Sequence, residues 1–399
     1  MSHTSARLSL GFSCAGHTFS HLFMLLYPVV VLTLEREWGQ PYESLLPLSF
    51  AGFVLFGAAA LPAGWLGDRW SSTGMMAVFF LGTGASAIAA GLAQGPAQMA
   101  VALGAIGAFA AIYHPVGLAW LVRNAANRGK ALGFNGVFGS LGTALAAAVA
   151  GALTDWISWR AAFLVPGAVA VVVGLVFVLL VRRGAVLDGT VDASPGRPPS
   201  RDDAVRVFLI LFAAMMATGL IFQATSVSMP KVFALRMAEL SGGTALGVGG
   251  LVTLVYLVSM GAHLLGGYLS DRFTMKRVYV GFYAAQVPLL LVAAYLDETL
   301  LLIAAIVMVF TNVASTVAEN GLLAYFTPAK WRSTAYGAKF VLALGVGALG
   351  VPLVALIYDL TGGFAWLYLL LGIVAAVVSA VLLPLPARED KAPAPAAAE

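Results

Sequence analysis

The chain has 399 residues, of which 60% are hydrophobic and only 10% charged, and its mean hydropathy is +0.92. A soluble domain carries about 25% charged residues, so this composition excludes a water-soluble globular protein and indicates a polytopic membrane protein. The formal charge of +4 does not point to nucleic acid, because Lys and Arg fall between the apolar runs and form no basic stripe. Cys14 is the single cysteine, which rules out an intramolecular disulfide and any CxxC or thiolate metal site.

The N-terminal "MSHTSARLSL" leads into a long apolar run with no small-residue cleavage pattern, and is read as a retained first helix rather than a signal peptide. Apolar runs follow at 9–34, 44–65, 74–93, 97–122, 130–154 and 159–181, then at 205–230, 245–269, 277–296, 299–326, 333–358 and 363–384. Each is close to the roughly 20 residues that cross a 30 Å hydrocarbon core at 1.5 Å per residue. These are segments 1 to 12. Between the sixth and seventh, "RRGAVLDGTVDASPGRPPSRDDAVR" collects Arg, Asp, Pro, Gly and Ser, as a solvated linker would. The expected domains are a six-helix bundle over 1–182, a linker over 183–204, a second bundle over 205–386 and a tail over 387–399.

Internal repetition supports the division. A shift of about 203 residues lays "GWLGDRW" (64–70) on "GYLSDRF" (267–273), Pro28 on Pro230, Gly133 on Gly337 and Asp155 on Asp359, as in parallel repeats related by an axis along the membrane normal. Basic residues crowd the N-terminus, the turns after segments 2, 4, 8 and 10, the linker and the tail. The opposite loops hold only Arg36, Arg160, Lys231 and Arg236. That asymmetry places both termini in the cytoplasm, for a bacterial inner (plasma) membrane location.

"GWLGDRW" and "GYLSDRFTMKRV" resemble the paired loop signature of the major facilitator superfamily. The resemblance implies twelve transmembrane helices in two pseudo-symmetric bundles, and a secondary transporter without cofactor or enzymatic activity. It also implies that Gly64, Asp68, Arg69, Gly267, Asp271 and Arg272 form a cytoplasmic gate, with the glycines permitting close helix approach and the charged pairs bridging the interface. "GHTFSHLFMLLYPVVVLTLEREWG" in segment 1 and "AIYHPVGLAWL" in segment 4 are similar to the fosmidomycin-resistance-like branch. Departures from the proton-antiporter patterns accompany these likenesses: segment 4 lacks an intramembrane Arg, segment 5 lacks a Gly-Pro pair, and "SSTGMM" follows the first signature in place of basic residues.

In the superfamily, segments 1, 4, 7 and 10 line the cavity, flanked by 2, 5, 8 and 11. The out-of-place polar residues fall on those segments, so His17, His21, Tyr113, His114, Asn135, Gln223, Glu319, Asn320 and Lys339 are the expected substrate cavity. Glu319 and Lys339 each stand ten residues from the turn near Ala329, about 15 Å deep. They can form a structural lock or take part in coupling. Glu319 is the expected proton carrier, with His21 and His114 as alternatives because imidazole titrates near neutral pH. His17 and His21 share a helix face at i and i+4, suiting packing or cavity lining. Without a neighbouring acid or thiolate they make an incomplete metal site, so no metal is expected. His114 precedes Pro115, and a helix kink competes with cavity lining there. Gln223 is open between the two, His263 reads as packing, and Trp156, Trp159, Trp331 and Trp366 read as interfacial anchors.

No HExxH, GxSxG or phosphate-cradling GxxxxGK[ST] occurs. The expectation is a monomeric, proton-coupled secondary transporter in the lipid bilayer, moving a small organic solute by alternating access, with efflux of a drug or metabolite favoured. Proton-coupled uptake of an organic anion is the alternative, and a non-transporting sensor or assembly partner is the alternative of another class.

Overall fold

The protein is described from a computed structural model covering residues 3–125, 128–189, 201–327, 335 and 338–386. The centre of the expected linker, the tail over 387–399, Trp331 and Gly337 lie outside the described residues.

Backbone polar groups in hydrocarbon must be satisfied within their own segment, and the described chain is accordingly helices joined by turns. Among the described residues, ten helices are long and apolar enough to cross a membrane, and the pair Tyr42–Ala58 and Ala60–Arg69, bent by 41°, makes eleven. The remaining segment of the twelve, the ninth, is the helix Met275–Ala293, whose Lys276, Arg277 and Gln286 dilute its apolar character.

Several segments are interrupted. Segment 1 is His3–Leu25 followed by Tyr27–Trp38, broken where Pro28 removes a backbone donor. Segment 4 runs from Pro96 to Asn124 and opens into one wide π turn over Tyr113–Gly117, around Pro115. Segment 8 is Ala245–Ser259 and Gly261–Arg272. Segment 11 contains a second π turn, Val341–Val346, before Gly350–Thr361. Segments 5 (Arg128–Trp156), 7 (Arg201–Arg236) and 10 (Glu298–Phe326) run through as single helices. Wide turns of this kind free backbone carbonyls and recur at functional sites.

Segment 1 packs on 5, segment 2 on 4, and segment 3 on 4 and 6; in the second half, 9 packs on 10 and 12, and 7 on 10, 11 and 12. The two halves meet chiefly through segments 5 and 8 and through 2 and 11. Small residues make the first of these contacts possible. A Cβ on Gly151 would overlap the Ala245 carbonyl, and one on Gly249 the Ala147 carbonyl, so the backbones approach as closely as membrane helices allow.

Hydrogen bonds between the halves gather at the end opposite the signature turns. Thr253 donates to the Ala144 carbonyl (2.6 Å) and accepts from the Ala148 amide (3.1 Å), and the Leu246 amide donates to Asp155 Oδ2 (2.6 Å). Tyr42 donates to the Val227 carbonyl at 3.2 Å. Lys231 pairs with Glu35 at 2.6 Å, its ammonium 5.2 Å and 5.5 Å from the ring centroids of Tyr42 and Tyr358. These contacts hold the two halves together at this end. Arg160 and Arg236, basic residues of the same face, donate to the terminal carbonyls of segments 3 and 9 respectively, where a cation suits the helix dipole.

Among the tryptophans, Trp156 and Trp366 are exposed as interfacial residues would be. Trp159 is not. It is 2% exposed, donates to Glu37 Oε2 at 2.7 Å and packs edge-on to Trp38, because its indole N–H finds an acidic partner inside the fold.

Candidate functional site

Between the halves lies a cavity of about 330 Å³. Its walls include His17, His21, His114, Gln223, Glu319, Asn320 and Lys339, joined by Ser140, Thr218, Tyr256, His263 and Phe340. Segments 1, 4 and 5 supply one wall and segments 7, 8, 10 and 11 the other.

The second wall is built around a carboxylate. Glu319 is 1% exposed. Its Oε1 lies 2.5 Å from Lys339 Nζ. Its Oε2 accepts from the Tyr279 hydroxyl at 2.6 Å and stands 3.3 Å from Thr218 Oγ1. Lys339 also donates to Asn320 Oδ1 at 2.6 Å, and Tyr283 meets Thr218 Oγ1 at 2.7 Å. Helical periodicity explains the gathering: Glu319 and Asn320 ride one turn of segment 10, Tyr279 and Tyr283 are i and i+4 on segment 9, and Lys339 enters from segment 11. An ion pair at this depth is held only because hydroxyls satisfy the remaining lone pairs. Nearby, the Gln223 amide nitrogen has no hydrogen-bond partner among the described residues.

The first wall is built from imidazoles. The rings of His17, His21 and His114 have centroids 5.1, 5.3 and 5.4 Å apart. His17 Nδ1 lies 2.9 Å from both the Asn135 carbonyl and Asn135 Oδ1. His114 stacks on Phe340 of the opposite half, at 4.6 Å between centroids. Sequence spacing linked only His17 and His21; His114 joins them because the π turn of segment 4 carries it against segment 1.

Two expected cavity residues stand behind this wall instead. Tyr113 and Asn135 are fully buried and do not line the cavity. They bond to each other, through Tyr113 O–H to Asn135 Oδ1 at 3.0 Å, and to Ser13. A buried amide and phenol need such partners, and segments 1, 4 and 5 provide them for one another. His263, expected to be a packing residue, faces the cavity, with Nε2 3.0 Å from Ser140 Oγ across the interface. Sequence reasoning also missed Thr218, Tyr279 and Tyr283, whose hydroxyls on apolar helices carry no distinguishing signal.

The signature residues lie away from the cavity. Gly64 does bring its helix close to segment 4, a Cβ there standing 3.1 Å from Pro115. Gly267 has open space in the corresponding direction, so the close approach expected there is not made. Asp68 and Arg69 are exposed, and among the described residues no ion pair joins either to the second half. Arg69 stacks on Trp65 of its own helix, and Arg272 likewise on Tyr268, since one turn of helix brings each guanidinium over the preceding ring.

A family model described as Major Facilitator Superfamily matches residues 12–338 and again 207–399. A puromycin resistance protein, pur8, of Streptomyces alboniger is 29% identical over 135 residues, which are 33% of this chain and 27% of that protein. The alignment thus spans about a quarter of the curated relative's length. Among solved structures, a bacterial homolog of the human lysosomal transporter Spinster, in an inward-facing and occupied conformation, superposes with a TM-score of 0.76 at 14% identity, covering 96% of this chain and 97% of that one. A peptide transporter POT variant in complex with sulfate gives a TM-score of 0.75 at 18% identity, covering 94% and 93%. These likenesses show the fold. Two repeated halves, a central cavity between them and a family match over most of the chain agree: the protein belongs to the major facilitator superfamily.

Proposed function

We propose that the protein exports a small organic solute, a drug or metabolite, in exchange for protons, with Glu319 as the proton carrier. The observation that carries this reading is the buried Glu319 carboxylate, held by Lys339 and Tyr279 on the cavity wall. In such a site the charged carboxylate is tolerable only while its cation is in contact. The site takes a solute while the pair is closed; a proton taken up by Glu319 on the outer side breaks the pair and releases the solute, and on the inner side the proton departs and the pair re-forms. Glu319 is favoured over His21 and His114 because, of the three, it has a charged partner in contact. The bundles over 1–182 and 205–386 are the rocking bodies, joined by 183–204, in a monomer with both termini on the cytoplasmic side of a bacterial inner membrane. Resistance to puromycin, named for the Streptomyces relative, makes that compound the first to try.

The test uses purified protein in proteoliposomes. Glu319→Gln should lose accumulation driven by a pH gradient while retaining solute counterflow. Full pH-gradient-driven transport by that variant would overturn the assignment. A second reading, proton-coupled uptake of an organic anion, is favoured by Lys339 facing the three imidazoles across one cavity; counterflow that accepts only anionic compounds, in the inward direction, would select it.

A further inference from the structure

We propose that His17, His21 and His114 form a binding site for a divalent transition-metal cation of the zinc class. The inference goes beyond the transport reading and does not rest on it. One ring nitrogen from each of the three residues lies within 4.8 Å of the others. Tetrahedral zinc with bonds of about 2.0–2.1 Å holds its nitrogens about 3.4 Å apart. The rings therefore need to close by little more than an ångström, which small side-chain rotations provide.

Three further features fit a metal rather than a chance meeting of rings. First, the His114 side chain is buried, 6% exposed, yet neither of its nitrogens has a hydrogen-bond partner among the described residues. Buried imidazole is normally satisfied, and a cation supplies the missing partner. Second, His17 has the outer partner typical of a metal ligand. The Asn135 carbonyl can only accept, so Nδ1 carries the proton in that contact and Nε2 keeps its lone pair. A backbone carbonyl on the far nitrogen is the arrangement that fixes tautomer and ring orientation in metal sites. Third, a Cβ on Gly139 would collide with the His17 ring; only glycine on segment 5 leaves room for the imidazole in this position.

The donor set decides the class of ion. Three neutral imidazoles without carboxylate or thiolate suit zinc, nickel, cobalt or copper rather than magnesium or calcium, which take oxygen ligands. Three protein ligands leave a fourth position open, and the cluster faces the cavity. With the full dipositive charge uncompensated by the ligands, that position favours an anionic or chelating group on the solute. Metal and Lys339 would then hold two ends of one molecule.

The experiment titrates Co2+ into the full-length, detergent-solubilised protein after removal of any affinity tag. One equivalent should bind with the visible ligand-field bands of a tetrahedral nitrogen site and be displaced by Zn2+. His17→Ala, His21→Ala and His114→Ala should each weaken binding by more than the roughly 10–100-fold that loss of an outer partner costs. Should an alanine variant fail to fold, the corresponding His→Gln variant replaces it. Zn2+ should raise the thermal midpoint of the parent protein and leave that of the variants unchanged. Absence of stoichiometric binding by the folded parent, or unchanged binding after substitution of His114, would overturn the proposal. The readout is binding alone, so failure of proton coupling would leave it intact.

Discussion

Removing Lys339 should damage the protein more than removing its partner. In Lys339→Met, Glu319 loses its cation behind 1% exposure and keeps hydroxyl partners only, and removing one partner of a buried pair costs roughly 3–5 kcal/mol. In Glu319→Gln the remaining ammonium keeps Asn320 Oδ1 at 2.6 Å and has 10% exposure on the cavity side. Water or solute can reach it there, and the Gln carbonyl still accepts a hydrogen bond, so the cost falls to about 1–3 kcal/mol. The double variant leaves neither charge behind and should lie within about 1 kcal/mol of the parent, as replacement of a buried pair by neutral groups often does. Unfolding of the solubilised proteins in a titration with a denaturing detergent, followed by helix signal, measures all four corners of the cycle. Losses that add to within about 0.5 kcal/mol would mean the two residues are energetically independent, and the pair could then not serve as the switch proposed for it.

Three further outcomes follow from the same structure. Gly249→Val drives a side chain into the Ala147 carbonyl and should cost about 1–3 kcal/mol through overpacking, lowering the thermal midpoint and separating spin labels placed on segments 5 and 8; an unchanged label distance would contradict the close contact. Lys231→Met breaks a pair whose side chains are 12% and 21% exposed, so its cost should fall below that of breaking the deeper Lys339 pair, while a cysteine introduced at Ser140 becomes more reactive to maleimide from the end where Lys231 sits. Equal labelling rates would deny that pair a role in sealing. Asn135→Leu leaves the Tyr113 hydroxyl with Ser13 as its remaining partner and removes the side-chain contact to His17, and should cost about 1–3 kcal/mol, read as a lower thermal midpoint. No change in midpoint would show that the Asn135 network carries no stability.

How much of this was legible in the sequence depends on which physical signal each part leaves. The fold leaves a strong one, because hydrocarbon forces long apolar helices and the repeated GxxxDR turns mark equivalent places in both halves. The level shared by Glu319 and Lys339 is also written in the chain, since each counts ten residues from one turn and helical rise is constant. Which face a polar residue presents is not. In a soluble helix the apolar stripe reveals the inward face, but here lipid and protein interior are equally apolar, so Asn135 toward the helix interface and Gln223 toward the cavity look alike in sequence. Tyr279 and Thr218 were hidden for a related reason: hydroxyls are common on membrane helices, and only the neighbouring carboxylate gives these two a task. His114 needed the π turn at Pro115, a local widening that periodicity does not foresee.

Segment 11 ties the two walls of the cavity together. Lys339 reaches Glu319 and Asn320, and the next residue, Phe340, stacks on His114 of the other half. Immediately afterwards the helix widens into the π turn Val341–Val346, whose backbone hydrogen bonds are less regular than those of an α-helix. A rotation of segment 11 large enough to withdraw Lys339 from Glu319 must therefore also shift Phe340 across the imidazole cluster. Conversely, a ligand that draws the three histidines together removes the surface on which Phe340 rests. On the reading proposed above, the two sites are coupled through one residue step rather than through a distant relay, and a solute that bridges them would be sensed by both halves at once, as alternating access between two rocking bundles requires.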